Sequence, residues 1–200
     1  MRSDAPVSIQ THALGTLDYI RTSIELSSSL VVPGMAGVFM GCVGIAAAIA
    51  ALMPRWAAHW LAIWVCAGAV AFLLGGALMA RQAAQTGHAR YLGPVRKFLL
   101  CLCPALFAGA VLTWVLWRAG MERLVPGTWL LLYGCAVLSA STVTVARTMR
   151  LICIMGALFA TLGCFAFAMP AQSHSLILGA GFGVLHIAFG LLLGRLSHAE

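Results

Sequence analysis

Charge is the scarcest property of this 200-residue chain: Lys, Arg, Asp and Glu together make up 8% of it. A soluble domain carries about 25%. With 62% of its residues hydrophobic, a chain this short has too little polar surface to cover a water-soluble fold, so it belongs in a bilayer. Acidic residues are rarer still, and no long apolar run contains one. That excludes a carboxylate-based ion or proton coupling mechanism within the membrane. No Walker, Rossmann, HExxH or serine-nucleophile pattern occurs, so a non-enzymatic role is the expectation. An early apolar h-region is missing too. Residues 1–30 are polar and mixed, and the first apolar run is therefore expected to be a true span rather than a cleaved signal. All seven cysteines lie inside apolar runs, which excludes the disulfide framework of a secreted domain.

What is present is a series of apolar runs near the ~20 residues needed to cross the hydrocarbon core. They predict an all-α integral membrane protein with six spans, at roughly 32–53, 59–80, 98–117, 127–146, 150–169 and 176–194. Only Arg147-Thr148-Met149-Arg150 divides the fourth from the fifth, but their combined length is too great for one crossing. The net charge of +7 sits in the gaps between runs. It is therefore a topology signal and not a nucleic-acid face. Arg2, Arg21, Arg81, Arg90, Arg96, Lys97, Arg147, Arg150 and Arg195 fall on one side, and only Arg55, Arg118 and Arg123 on the other. The first side is read as cytoplasmic, with both termini inside, in a bacterial inner membrane. Trp56, Trp60, Trp114, Trp117 and Trp129 gather at the opposite side, with Trp64 one turn deeper, as in an interfacial aromatic belt. Ahead of the spans, Leu14, Leu17 and Ile24 share one helical face, while Asp18, Arg21 and Glu25 mark the other. Residues 1–30 are thus expected to hold a cytoplasmic amphipathic helix, about Thr11 to Ser29, lying in the interface.

The most organised motif is a repeat. Val32-Pro33-Gly34 followed by Gly41-Cys42 returns with the same spacing as Val125-Pro126-Gly127 and Gly134-Cys135. Three spans begin at each copy, and an odd number of spans turns the second copy over. Two inverted three-helix halves, 31–118 and 124–196, are expected, related by an axis in the membrane plane. Pro in the first turn fixes φ where its missing N–H costs nothing. Gly41 and Gly134 lie roughly 13 Å into their helices, near the midplane of a ~30 Å core. Two helices carrying small residues at one depth can cross there. Gly34, Gly37, Gly41 and Gly44 make the first span a small-residue helix.

His186 is the leading candidate for function. It lies near the midplane of the sixth span, on one face with Gly179, Gly183, Gly190 and Gly194. Ionisable residues at such depth are costly and mark functional sites. Its roles include packing through a hydrogen bond to a neighbouring helix, ligand binding, proton relay or haem ligation. Ser139, Ser141, Thr142 and Thr144 form a second polar patch, which either bonds to the preceding turn or lines a polar path, with Ser139 and Thr142 its binding candidates. Cys42 and Cys135, related by the repeat, are candidates for redox chemistry. A cysteine in span one and another in span four resembles the thiol-disulfide carriers of cytochrome c biogenesis, although the prolines here lie nine residues from the cysteines. Cys101 and Cys103, beside Pro104, could bind a soft metal such as copper(I).

Tyr19-Ile20-Arg21, Val32-Pro33-Gly34, Arg96-Lys97-Phe98 and the stretch Gly183 to Gly190 around His186 together resemble an uncharacterised family of small bacterial six-span membrane proteins. The resemblance implies no activity, but it makes His186 and the Val-Pro-Gly turn family features. Three functional expectations remain. One is a small-solute transporter or channel-like protein with a midplane site. The second is a membrane redox protein using thiols or haem. The third is a non-catalytic sensor or assembly partner. Expected partners are the lipid bilayer, a small solute, and a second copy or another membrane protein, but no nucleic acid; the cofactor is left open.

Overall fold

The computed structural model describes Leu30, residues 32–86 and residues 88–197. The expected amphipathic helix at Thr11–Ser29 lies outside the described residues. Six helical stretches are long and apolar enough to cross a membrane. They comprise α1 (Gly34–Leu52), α2 (Trp60–Thr86), α3 (His88–Arg118), α4 (Val125–Ser141) and α5 (Ala146–Ala168), with a composite sixth span. That sixth span runs as α6 (His174–Leu178), a π segment (Gly179–Leu185) and α7 (His186–Ser197). The fold is all-α, as expected. Pro33 is extended before α1, Pro126 sits in the first turn of α4, and Pro170 follows the last turn of α5. Gly120, at φ +68°, turns the chain after α3. α4 and α5 are separate helices, divided at 142–145, where Val145 adopts an extended conformation before α5. α3 begins ten residues before the expected start of its span and carries Pro94 and Pro104 within it; each removes one donor from the ladder without ending the helix.

Leu30, fully buried, fastens the segment before α1 to the α4–α5 turn. Its N–H donates to the Val143 carbonyl at 2.9 Å, and its carbonyl accepts from the Val145 N–H at 3.3 Å. The start of the first half is thereby held by the second half.

Packing is uneven. α4 lies most intimately on α5, and α1 on the sixth span, whereas α2 and α3 touch each other sparsely. In the membrane-crossing stretches of α2 and α3 only 6% of residues are buried, against 50% in the fourth span. α1, α4, α5 and the sixth span therefore form the core, with α2 and α3 as a peripheral hairpin. Glycine sets the close seams. A Cβ on Gly34 would lie 2.5 Å from the Gly190 carbonyl oxygen, and one on Gly44 would lie 2.5 Å from that of Phe182. On the other seam, a Cβ on Gly134 would lie 2.5 Å from the backbone nitrogen of Ala160. Gly41 and Gly134, read from the repeat as a crossing point between spans one and four, take different partners. Gly41 faces Gly183 and Ile187 on the sixth span, and Gly134 faces Gly156 and Ala160 on α5. The reason is that each glycine helix has a second small-residue helix available, which allows a closer backbone approach than the two motif helices would gain from each other.

These contacts separate two kinds of glycine. Gly134→Ala drives a methyl into the α5 backbone and should cost about 1–3 kcal/mol of unfolding free energy, the usual range for overpacking. Gly76→Ala meets nothing within 4 Å and should be neutral or stabilising by up to about 1 kcal/mol, the helix-propensity difference. Unfolding of the purified variants in mixed micelles measures both.

Candidate functional site

The sixth span changes its winding near the middle of the membrane. Gly179, Gly181 and Gly183 alternate there and all are buried. A Cβ on Gly181 would meet Leu130 at 2.5 Å and Phe159 at 3.2 Å, and one on Gly183 would meet Ile45 at 2.5 Å. Neighbours on two sides thus press against the backbone where side chains would otherwise stand. Segments wound in the π manner frequently occur at functional sites. Interrupted spans at mid-membrane are also a recurrent construction in transporters.

His186 is the first residue after this segment and is 3% exposed. Its Nε2 lies 2.7 Å from the Tyr133 hydroxyl of α4. Phe159 and Phe182 complete a four-ring cluster: the Tyr133 and Phe159 centroids are 4.8 Å apart, those of Phe159 and His186 5.2 Å, and Phe182 stacks on His186 at 6.1 Å. Nδ1 is buried and has no hydrogen-bond partner among the described residues. Nε2 and the Tyr133 hydroxyl share one hydrogen bond, and the imidazole tautomer decides which of the two donates. In either case the tyrosine oxygen keeps a lone pair as an acceptor.

Two clefts meet at this pair. The larger, about 470 Å³, runs from Tyr133 and His186 toward Trp129 and Thr113, the end where the chain is rich in tryptophan. The smaller, about 140 Å³, runs the opposite way, past Gly75 and Gly190 to Met79 and Phe98 near the arginine-rich end. Met40, Ala71, Phe72, Leu102, Tyr133 and His186 belong to both. Among the described residues no charged side chain lines either. Polar groups in the larger cleft are few and mostly engaged: Trp129 Nε1 donates to Thr113 Oγ1 at 2.6 Å, and Thr113 Oγ1 donates to the Gly109 carbonyl at 2.6 Å. Trp64, 4% exposed, lines the same cleft, and its Nε1–H has no acceptor among the described residues. At the tryptophan-rich end Trp60 stacks on Trp129 at 6.3 Å and donates to Ser175 Oγ at 2.9 Å.

The other candidates from the sequence lie apart from this centre. Ser139 and Thr142 are both exposed near the end of α4, where Thr142 Oγ1 donates to the Ser139 carbonyl at 2.7 Å. Ser141 Oγ donates to the Leu138 carbonyl at 2.7 Å, and Thr144 Oγ1 to the Ser141 carbonyl at 2.6 Å. The hydroxyl patch thus finishes a helix and joins neither cleft. Cys42 and Cys135 are exposed and free. Cys101 is half-buried and Cys103 exposed, and among the described residues no three His, Cys, Asp or Glu side chains come together. To ligate a haem iron through Nε2, His186 would have to surrender its bond to Tyr133. Gly37, Gly179, Gly183 and Gly190 all lie in the seam between α1 and the sixth span, Gly179 against Ala48. Tyr133 itself was missed, although it directly precedes Gly134 and is a lone tyrosine within the apolar runs. Comparisons with protein families, with curated proteins and with solved structures find no match to this chain.

Tyr133→Phe strands His186 Nε2 in the core and should lower the unfolding free energy by about 1–3 kcal/mol, the cost of a buried group left unpaired. In a double-mutant cycle with His186→Phe, the coupling should fall at about 0.6–1.7 kcal/mol, the range for hydrogen bonds between membrane helices. A coupling of zero would mean that the two side chains do not bond.

Proposed function

We propose that the chain is a multi-pass bacterial inner-membrane protein that moves a small solute across the bilayer, with Tyr133 and His186 as its midplane site. The observation that carries this reading is the pair of clefts that extend toward opposite ends of the bundle and share the Tyr133–His186 wall. A solute held there has an apolar path on either side and one polar contact between. The π segment beside His186 supports the reading, because irregular winding lets a membrane helix shift without exposing unpaired backbone groups. The arginine distribution favours cytoplasmic termini, and the amphipathic stretch before α1 is assigned to the cytoplasmic interface.

The reading includes an inverted repeat of three spans. In its favour, α1 is flanked by α2 and the sixth span, while α4 is flanked by α5 and α3. Exchanging spans one, two and three for four, five and six reproduces that order of neighbours. The glycine seams do not follow the exchange, since the close contact of α1 is with the sixth span and that of α4 with α5. The two halves have therefore specialised differently.

Vesicles loaded with a deproteinised extract of the source cells test the transport reading, with mass spectrometry of what remains inside. At least one compound should leave faster with the wild-type chain than from protein-free vesicles, and Tyr133→Phe or His186→Gln should slow that loss at least tenfold. Equal loss with and without protein, or variants as fast as wild type, would overturn it. A fluorescent protein that matures only in the cytoplasm should fluoresce when fused to the C-terminus; a dark fusion reverses the assigned orientation.

A further inference from the structure

The shape and chemistry of the larger cleft restrict what can occupy it. Its side walls are α2 and α3, the two helices that touch each other least. Several of the wall residues are themselves exposed at the bundle surface, among them Val65 at 50% and Phe72 at 47% on α2, and Leu106 at 36% on α3. The cleft therefore opens sideways, between α2 and α3, toward the hydrocarbon. From Thr113 to Phe98 the two clefts follow α3 for fifteen residues, roughly 22 Å at the helical rise.

We infer that the occupant is a neutral, single-chain amphiphile bearing a hydroxyl, which passes between α2 and α3 from the bilayer and brings its hydroxyl to Tyr133. This rests on the transport reading and names its substrate class. A long groove with scarcely a polar atom suits a hydrocarbon chain, and a well-hydrated solute would lose its water there without compensation. Among the described residues no charged side chain lines either cleft, and a phosphate, ammonium or carboxylate head beside them would be stranded unpaired. A hydroxyl meets what the walls offer. It can donate to a lone pair of the Tyr133 oxygen that the bond to His186 leaves free. For such a molecule the obstacle to crossing is an unpaired hydroxyl at mid-membrane, and Tyr133 stands at the junction where that obstacle arises.

Photolabelling of the full chain in phosphatidylcholine nanodiscs tests this, with a diazirine-bearing hexadecanol and its hydroxyl-free alkane counterpart as probes. Gly68 and Gly109 line opposite walls of the cleft. A Cβ on Gly68 meets nothing within 4 Å, and one on Gly109 meets only Leu132 at 3.7 Å. Gly68→Leu and Gly109→Leu thus fill the groove without disturbing the seams. The alcohol probe should label cleft-facing residues of α2 and α3, unlabelled hexadecanol should compete, and either leucine variant should lower labelling at least fivefold. Tyr133→Phe should weaken competition by the alcohol about tenfold, the equivalent of one hydrogen bond of about 1.4 kcal/mol, while leaving alkane labelling unchanged. Labelling spread evenly around the bundle, resistant to competition, or unchanged in both leucine variants overturns the inference. So does an equal effect of Tyr133→Phe on both probes. A water-soluble compound transported at the wild-type rate by Gly68→Leu would likewise sink this substrate class while leaving the transport reading intact.

Discussion

Hydrocarbon offers no hydrogen bonds and supplies little hydrophobic force between helices, so close packing must hold the bundle together. In this chain one of two close seams lies between α1 and the sixth span, where the glycines of one helix admit the backbone of the other. Gly34, Gly37 and Gly44 face Gly190, Gly194 and Phe182 so closely that no methyl would fit at Gly34 or Gly44 without displacement. The functional centre depends on this seam. It presses the Phe182 carbonyl against Gly44, which helps fix the π segment, and the π segment fixes the direction in which His186 leaves the helix. Tyr133 then meets the imidazole from α4, itself seated on α5 through Gly134. A change in either seam would move one partner of a 2.7 Å hydrogen bond.

The same economy of contacts explains why there are clefts at all. Helices without small-residue seams pack through larger side chains and stand further apart. α2 keeps Gly68 and Gly76 on open ground, with nothing near the Cβ position, and carries Val65, Phe72 and Leu73 outward. α2 and α3 accordingly form a splayed hairpin over a rigid four-span core. Regions with few buried contacts open at the lowest free energy, so movement is expected in the hairpin rather than in the seams. That division suits a site whose polar pair must stay in register while its access changes.

Much of this was legible in the sequence because it follows from spacing. Six spans, the helix starts at Pro33 and Pro126, and the burial of His186 on a glycine face all come from local pattern. What was not legible depends on which helices become neighbours. Periodicity says that Gly41 and Gly134 face something small; it does not say that they choose Gly183 and Gly156 instead of each other. The hydroxyls of Ser141, Thr142 and Thr144 looked like a polar stripe, yet each donates to a carbonyl three residues back, an alternative open to Ser and Thr at any helix end, and Ser141 also meets Cys153 Sγ of α5 at 3.0 Å. Tyr133 carried little signal, because a tyrosine in an apolar run reads as a belt residue until a partner is known. The π segment was hidden for a related reason. Alternating glycines permit it, but Leu130, Phe159 and Ile45 from other helices impose it.

The absence of carboxylates from the spans takes on a sharper meaning beside this geometry. A proton-coupled carrier needs a group that holds charge at the midplane in one state and loses it in another. Among the described residues His186 is the one ionisable side chain besides Tyr133 in the clefts, and neither cleft offers it a counter-ion. Its surroundings are Phe159, Phe182 and a tyrosine hydroxyl bonded to Nε2, an arrangement with no carboxylate to balance a cation. Coupling to a proton gradient would require the site to break the contact that defines it. In the proposed transport role, a neutral pair would offer hydrogen bonds at a depth where lipid offers none, to a polar group arriving from either side. The direction of movement would then be set by the concentration of the solute in the two leaflets or compartments, and the protein would change the rate of crossing without changing its end point.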